Sequence, residues 1–225
     1  MFNPEKPPEL MVSRWLNAPA KSELSLAQLK GKVVVLHAFQ MLCPGCVSHG
    51  LPQAKKLAER FAPEEVAVIG LHTVFEHHAV MTPAALEAFN HEYRWGIPIG
   101  IDTPDGHGMP KTMAAYHMRG TPTLLLFDRQ GRLRRHYLGQ VDDIRLGAEI
   151  MALAIEEADA AREVSIRIEQ KLSDTLLEPG DHPHHAHAHG HDHVHGDDCG
   201  CEHDHDLGYA HSRDDQRTRA APAKR

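Results

Sequence analysis

The feature that most constrains the fold is an apolar run, Val33-Val34-Val35-Leu36, that continues through His37, Ala38 and Phe39 and leads into Cys43-Pro44-Gly45-Cys46. Apolar and β-branched on both faces, the run has the signature of a central parallel strand covered by helices. Pro44 suits the first position of a helix, where a missing N–H costs nothing and φ is already set. Beyond it, Leu51, Ala54, Leu57, Ala58 and Phe61 recur at helical spacing before Pro63. The stretch therefore predicts a buried strand that delivers a dithiol to the mouth of a helix, with Cys43 at the helix end and Cys46 about one turn in.

That placement matters because the thiolate is the nucleophile of thiol chemistry, and free N–H groups with the helix dipole stabilise negative sulfur. Cys43 is the expected attacking group. Cys46, covered by the helix, is the group expected to resolve a mixed disulfide by attacking Cys43 from within. Half of a zinc site, or an inert buried pair, could use the same residue types. Structural zinc usually takes four ligands, however, and the other two cysteines, Cys199 and Cys201, lie far away in a polar tail. The strand before and the helix after favour the redox reading.

Composition divides the chain of 225 residues. Apolar residues fill the first two thirds, whereas the stretch from Asp181 has almost none and cannot offset its ordering entropy by burial. The expected organisation is an irregular lead-in over 1–23, a folded domain over 24–156, a helical extension over 157–177 and a disordered tail over 178–225. A net charge of −7 gives no reason to expect nucleic acid or an anionic membrane as partner. With no apolar run of membrane-spanning length and no signal-peptide pattern in Met1 to Leu10, the expected location is the cytosol. There a cysteine pair is more often catalytic or metal-binding than structural.

In chain order, Val66 to Leu71 predicts a second buried strand, parallel to the first through a right-handed crossover. His72 to His78 then reads as a polar loop with solvent-facing imidazoles, at the strand end where open α/β sheets place their sites. Thr82-Pro83 is an N-cap with proline at N1, starting a helix to about Tyr93. Trp95 to Asp102 alternates into a short strand, Thr103 to Gly108 is a loop, and Thr112 to His117 a short helix. Met109 and Met113 read as core packing, not soft metal ligands. Pro122 to Phe127 and Leu133 to Leu138 flank the turn Asp128-Arg129-Gln130-Gly131 as an antiparallel pair, with Arg132, Arg134 and Arg135 as an edge-strand charge guard. From Asp142 one helix carries Ile144, Leu146, Ile150, Leu153 and Ile155 and continues through Val164, Ile168 and Leu172, either packing back on the body or pairing with a second chain.

Three segments together, Leu29-Lys30-Gly31-Lys32 before the strand, Cys43-Pro44-Gly45-Cys46 after it, and Gly120-Thr121-Pro122-Thr123 later, give about Leu24 to Ile155 a resemblance to the thioredoxin superfamily. Within it the chain resembles the redoxin-like thiol-disulfide oxidoreductases of the TlpA type. The resemblance implies an α/β fold with a central mixed β-sheet flanked by helices, here with an extended C-terminal helix. It also implies that Pro122 is cis and faces the dithiol, with Thr121 helping to orient the substrate strand. His37, six residues before Cys43, stands where thioredoxins carry a buried acid that assists proton transfer. Leu42 stands where an aromatic residue commonly precedes the first cysteine. The Pro-Gly dipeptide between the cysteines forbids copying a redox potential from a relative.

The tail crowds His182, His184, His185, His187, His189, His191, His193, His195, His203 and His205 among aspartates and Cys199-Gly200-Cys201. Imidazole, carboxylate and thiolate together suit Zn²⁺, Ni²⁺ or Cu²⁺, and such a tract binds ions without folding. Its irregularity and its cysteines argue against a purification tag; Cys199 and Cys201 fit either a zinc pair or a reactive disulfide. The expected function is a cytosolic thiol-disulfide oxidoreductase with an accessory metal-binding tail, needing no cofactor for its redox chemistry. Its partners are a protein or small-molecule disulfide and an unidentified reductant, with the chain a monomer or a homodimer. The alternatives are a metal-handling protein and a thiol peroxidase. The latter is disfavoured because neither Cys43 nor Cys46 ends a Pro-x-x-x-Thr-x-x-Cys pattern.

Overall fold

The computed structural model describes residues 2–18, 24–106, 108–157 and 160–176, all within the compact unit Met1–His182. The apolar run forms β2, Val33–Phe39, and each of its residues is at most 2% exposed. Around it the chain builds β1 (Val12–Leu16), a π-helical turn (Cys46–Gly50), α1 (Leu51–Arg60), β3 (Val66–His72), α2 (Pro83–Tyr93), β4 (Ile99–Asp102), α3 (Lys111–Ala115), β5 (Thr123–Phe127), β6 (Leu133–Leu138), α4 (Asp143–Ile155) and α5 (Arg162–Thr175).

The strands form one mixed sheet in the order β1-β4-β3-β2-β5-β6. β2 pairs in parallel with β3, Val33 opposite Val66 through Phe39 opposite His72, and antiparallel with β5 on its other side. Because side chains alternate across a strand, Val33, Val35 and Phe39 join Leu51, Ala54 and Leu57 of α1, Leu86 of α2 and Leu146, Ile150 and Leu153 of α4 in one core. Val34, Leu36 and Ala38 face the other way, toward Met113, Tyr116 and Met118. Two covered faces explain why β2 shows no polar alternation.

The lead-in is not irregular throughout: β1 pairs antiparallel with β4 and adds an edge to the sheet. Gly100 makes room for it, since a Cβ there would lie 2.9 Å from Val12 and 3.1 Å from Trp15. The predicted helix over 82–93 begins as expected, Thr82 Oγ1 accepting from the Ala85 N–H at 3.2 Å. The single long helix after Asp142 is instead two. Glu156 leaves helical geometry at φ −66° and ψ 128°, and its carboxylate accepts from Arg132, Arg134 and Ser165. The apolar period runs on past Ile155, but ion pairing breaks the backbone there.

The same contacts correct the reading of Arg132 and Arg134, which are 7% and 9% exposed and no surface guard. Asp128 Oδ2 accepts from Arg132 Nε at 2.6 Å and Arg134 Nη1 at 3.0 Å, while Glu169 of α5 accepts from Arg134 Nε at 2.7 Å. Arg135 is half-buried and bonds Glu149 of α4 at 3.1 Å. The helical extension thus packs back on the body through a clamp centred on β6. The tail predicted over 178–225, with every histidine and cysteine named in it, lies outside the described residues.

Candidate functional site

β2 ends at Phe39, and the chain turns through Gln40 to Leu42 so that the Cys43 N–H donates to the Gln40 carbonyl at 3.2 Å. The Cys43 carbonyl then accepts from the N–H groups of Cys46 and Val47, both at 3.1 Å, which starts the helix at the dithiol as predicted. Cys43 and Cys46 are joined in a disulfide. Cys43 is partly exposed and Cys46 is fully buried, so only the first sulfur can meet an incoming disulfide.

The Cys46 N–H donates to Cys43 Sγ at 3.2 Å. In the reduced protein this amide, at a helix N-terminus, favours the Cys43 thiolate. The Thr121 carbonyl oxygen approaches the same sulfur to 3.4 Å. A disulfide sulfur has no proton to donate, so this is a close contact in the oxidised form and becomes a hydrogen bond only when Cys43 is a thiol. The two neighbours pull in opposite directions, one toward thiolate and one toward thiol.

The Thr121–Pro122 peptide bond is cis. A Cβ on Gly45 would lie 3.4 Å from Pro122 Cδ, so the proline ring lies against the turn that joins the cysteines. Thr121, Pro122, Cys43 and Cys46 are therefore one cluster, as expected from the separated motifs.

His37 lies beneath the same helix. A Cβ on Gly50 would come within 2.2 Å of His37 Cε1 and 2.5 Å of Nε2, so only glycine lets the helix settle on the imidazole. Gly50 ends the π-helical turn that Cys46 begins, and the Leu51 N–H closes that turn on the Cys46 carbonyl. Pro52 accounts for the wider turn, because it has no N–H for the Ser48 carbonyl and its ring would crowd that carbonyl in an ordinary helix. His37 is 2% exposed and its Nδ1 has no protein partner. Burial pulls its pKa down to about 4, against a backbone hydrogen bond at Ala38 that pulls up, so the ring is neutral at pH 7.

Sequence reasoning missed three residues. Gln40 is 1% exposed with both amide atoms unmatched. Gly50 carries no local signal, because its need arises from a ring 13 positions earlier in the chain. His72 was expected to face solvent but closes β3 at 1% exposure, its ring 5.3 Å from that of Phe39, and burial lowers its pKa to about 4. Counting by twos from Val66 and Val68 would have set it on the inward face. His77 is exposed, as the loop reading expected. Met113 is core at 1% exposure, whereas Met109 is 44% exposed and packs no core. Asp102 lies 4% exposed, accepting from the N–H groups of Thr112 and Met113 and from Thr73 Oγ1, an arrangement that anchors α3. Among the described residues no group of three or more His, Cys, Asp or Glu side chains could hold a metal ion, and no helix is long and apolar enough to cross a membrane.

Comparison with known proteins agrees with this geometry. A crystal structure of a thioredoxin-like superfamily protein shares 56% identity and a TM-score of 0.65, covering 68% of this chain and 97% of that one. A thiol-disulfide isomerase from Corynebacterium glutamicum shares 47% identity at a TM-score of 0.65, covering 68% and 98%. The protein DipZ of Mycobacterium bovis is 26% identical over 131 residues, which are 58% of this chain but 18% of that protein, so the chain spans under a fifth of that relative's length. The AhpC/TSA family profile matches residues 10–136, more than half of the chain. The chain belongs to the AhpC/TSA family, as a redoxin of the thioredoxin superfamily.

Proposed function

We propose that the protein is a thiol-disulfide oxidoreductase that acts as a cytosolic disulfide reductase. The observation that carries this reading is the asymmetry of the pair: Cys43 is partly exposed at a helix N-terminus beside Thr121, and Cys46 is fully buried behind it. In the reduced protein the Cys43 thiolate attacks one sulfur of a substrate disulfide, forming a mixed disulfide and releasing one substrate thiolate. Cys46 then loses its proton and attacks Cys43 Sγ. The intramolecular disulfide forms, the second substrate thiolate leaves, and two electrons have passed to the substrate. His37, neutral and with a free ring nitrogen, supplies a proton acceptor beneath the helical turn that Cys46 opens. An external dithiol of unidentified nature must return the two electrons. The 47% identity to a protein described as a thiol-disulfide isomerase supports the reaction class.

The reading extends to the tail, whose mixture of imidazole, carboxylate and thiolate groups suits Zn²⁺, Ni²⁺ or Cu²⁺. That part of the proposal rests on sequence, since the tail lies outside the described residues. No step of the redox cycle requires the metal. Peroxidase chemistry gains no support from the family match, because the Pro-x-x-x-Thr-x-x-Cys pattern is absent around Cys43 and Cys46.

Insulin-disulfide reduction tests the mechanism. Cys43→Ser should lose all activity above background, and Cys46→Ser should accumulate a mixed disulfide with substrate, visible on non-reducing gels. Equal trapping by both variants would overturn the order of attack. The potential of the couple tests the direction: a value near the roughly −270 mV of thioredoxin fits a reductase, and one near the roughly −120 mV of DsbA would make it an oxidant. Zinc and nickel titrations of the full chain and of a chain cut after Leu177 test the tail, with binding expected only in the former.

A further inference from the structure

Helix α4 is apolar on two sides, and its own domain uses one of them. Leu146, Ile150 and Leu153 belong to the core and are at most 4% exposed. On the opposite side Ile144 is 78% exposed, Met151 49% and Ile155 72%, with Ala148 partly exposed between them. These four positions follow the i, i+4, i+7, i+11 spacing of a coiled-coil seam, and at 3.6 residues per turn they share an arc of about 60°. No charged residue of the helix falls within that arc. Single exposed apolar side chains are ordinary on a protein surface, whereas an uncharged seam running the length of a helix marks a contact. α5 does not supply that contact, being held to β6 through Arg134 and Glu169 at 2.7 Å.

The two ends of the seam differ in charge. Beside its N-terminal half, α1 and α4 border a groove of about 340 Å³, with Leu146 and Gly147 on the α4 side and Leu57 and Phe61 on the α1 side. Lys56 and Arg60 also line it from α1, and Arg60 forms no ion pair among the described residues. The acids at this end are engaged within the chain. Asp142 accepts from the N–H groups of Ile144 and Arg145, and Asp143 accepts from Gln53 at 2.6 Å and Lys56 at 3.4 Å. At the C-terminal end the last turn of α4 carries no basic residue, and the exposed Glu157 follows it. The closing carbonyls of the helix add partial negative charge there.

We propose that the seam docks a second copy of this chain, α4 against α4 in antiparallel array, about a two-fold axis level with Glu149 and Ile150. Size and charge both select this arrangement. It sets Ile144 against the partner's Ile155 and Ala148 against the partner's Met151, so that each long methionine meets a small alanine. It also brings the basic groove beside Ile144 to the negative end of the partner's helix. Parallel pairing would oppose Met151 to its own copy, leave a gap at Ala148 and set like ends together. The two-fold closes on itself, so both seams are covered and no further copy is recruited. A seam of this length lies at the small end of specific interfaces, below about 1,200 Å² in total, and the dimer is reversible with a dissociation constant on the order of 10 μM.

Sedimentation of the full chain between about 1 and 200 μM tests this, with EDTA present so that metal on the tail links no chains. The mass should rise from near 25.0 kDa toward twice that value. Ile155→Glu places a charge in the seam at two points of the dimer and should weaken association at least about 50-fold. Because Ile155 is exposed, the variant should keep the circular dichroism of the native chain. Arg60→Glu should weaken association about fivefold at low salt and less at high salt. The register is tested by mixing Ile144→Cys and Ile155→Cys chains under diamide: peptides joined through positions 144 and 155 should appear in the mixture far faster than same-site links in either variant alone. A monomer at every concentration would overturn the proposal, as would a dimer that Ile155→Glu leaves intact. Same-site links that form as fast as the mixed one would overturn the antiparallel arrangement. Dimer and dithiol chemistry stand or fall separately, since no seam residue touches the sulfurs.

Discussion

Two of the places where this molecule buries polar side chains treat them differently. In the clamp around β6, Asp128, Arg132, Arg134 and Glu156 are between 3% and 9% exposed, and each finds charged or hydroxyl partners at 2.5 to 3.2 Å. At the carboxyl ends of β2 and β3, His37, Gln40 and His72 are at most 2% exposed, and His37 Nδ1, both amide atoms of Gln40 and His72 Nε2 have no protein partner. An unmatched buried polar group costs about 1–3 kcal/mol. The clamp is a structural joint in which each charge is answered. The dithiol end keeps two neutral imidazoles and an amide with unmatched polar atoms, His37 among them beneath the turn that Cys46 begins, the arrangement a proton acceptor needs.

The difference can be broken most forcefully at the clamp. Glu156→Gln keeps the shape but removes the charge that faces both Arg132 and Arg134. Breaking a buried ion pair from one side costs about 3–5 kcal/mol, because the remaining charge stays buried. For a domain of this size that is a fall in melting temperature on the order of 10 °C. α5, held to β6 through Glu169 and Ser165, should become the first site of limited proteolysis. Insulin reduction at 25 °C should persist, since no clamp residue touches the sulfurs. An unchanged melting temperature would mean that the clamp is a surface feature after all.

This contrast also explains what the sequence disclosed. The strand, the dithiol, the helix after it, the crossover to β3 and the β5–β6 hairpin were legible because each is written in local signals: β-branched runs, Pro at N1, Thr82 as a cap and Gly131 in its turn. The cis-proline pairing was legible only through the resemblance, because nothing in Gly120-Thr121-Pro122-Thr123 itself says which turn it faces. The clamp was not legible. Arg132, just before the edge strand, and Arg134, within it, read like any exposed charges, and their burial depends on acids 22 to 35 residues further along. His72 looked like the first residue of a polar loop and is the last residue of a buried strand. Tertiary partners decided each of these cases.

Acid should sharpen the comparison, because the neutral histidines are stable only while unprotonated. His37 and His72 have folded pKa values of about 4 against an ordinary 6.5. Between those values the unfolded chain binds more protons than the folded one, so stability present above pH 6.5 is lost as pH falls and levels off below about 4. The loss is on the order of 3 kcal/mol for each imidazole at 1.36 kcal/mol per pKa unit. Denaturant melts at pH 7, 5.5 and 4.5 should show it. His72→Phe should remove part of the slope between pH 6.5 and 4, and a slope identical to that of the native chain would show that His72 is not buried neutral.

The smallest change reaches the dithiol through packing alone. Gly50→Ala sets a methyl group 2.2 Å from His37 Cε1, so the imidazole or the π-helical turn must move. Overpacking of this kind costs about 1–3 kcal/mol. Because the turn that must yield begins at Cys46, the same substitution should also slow release of the mixed disulfide while leaving attack by Cys43 unchanged. The two effects have one cause if they are relieved together. His37→Ala removes the ring, so the double variant should regain most of the stability lost by Gly50→Ala, a coupling between neighbours that independent sites do not show. The pH dependence of its mixed-disulfide release should nevertheless differ from that of the native chain, because the space is restored but the proton acceptor is not. Recovery of both stability and the native pH dependence would leave His37 a mere packing partner of the helix.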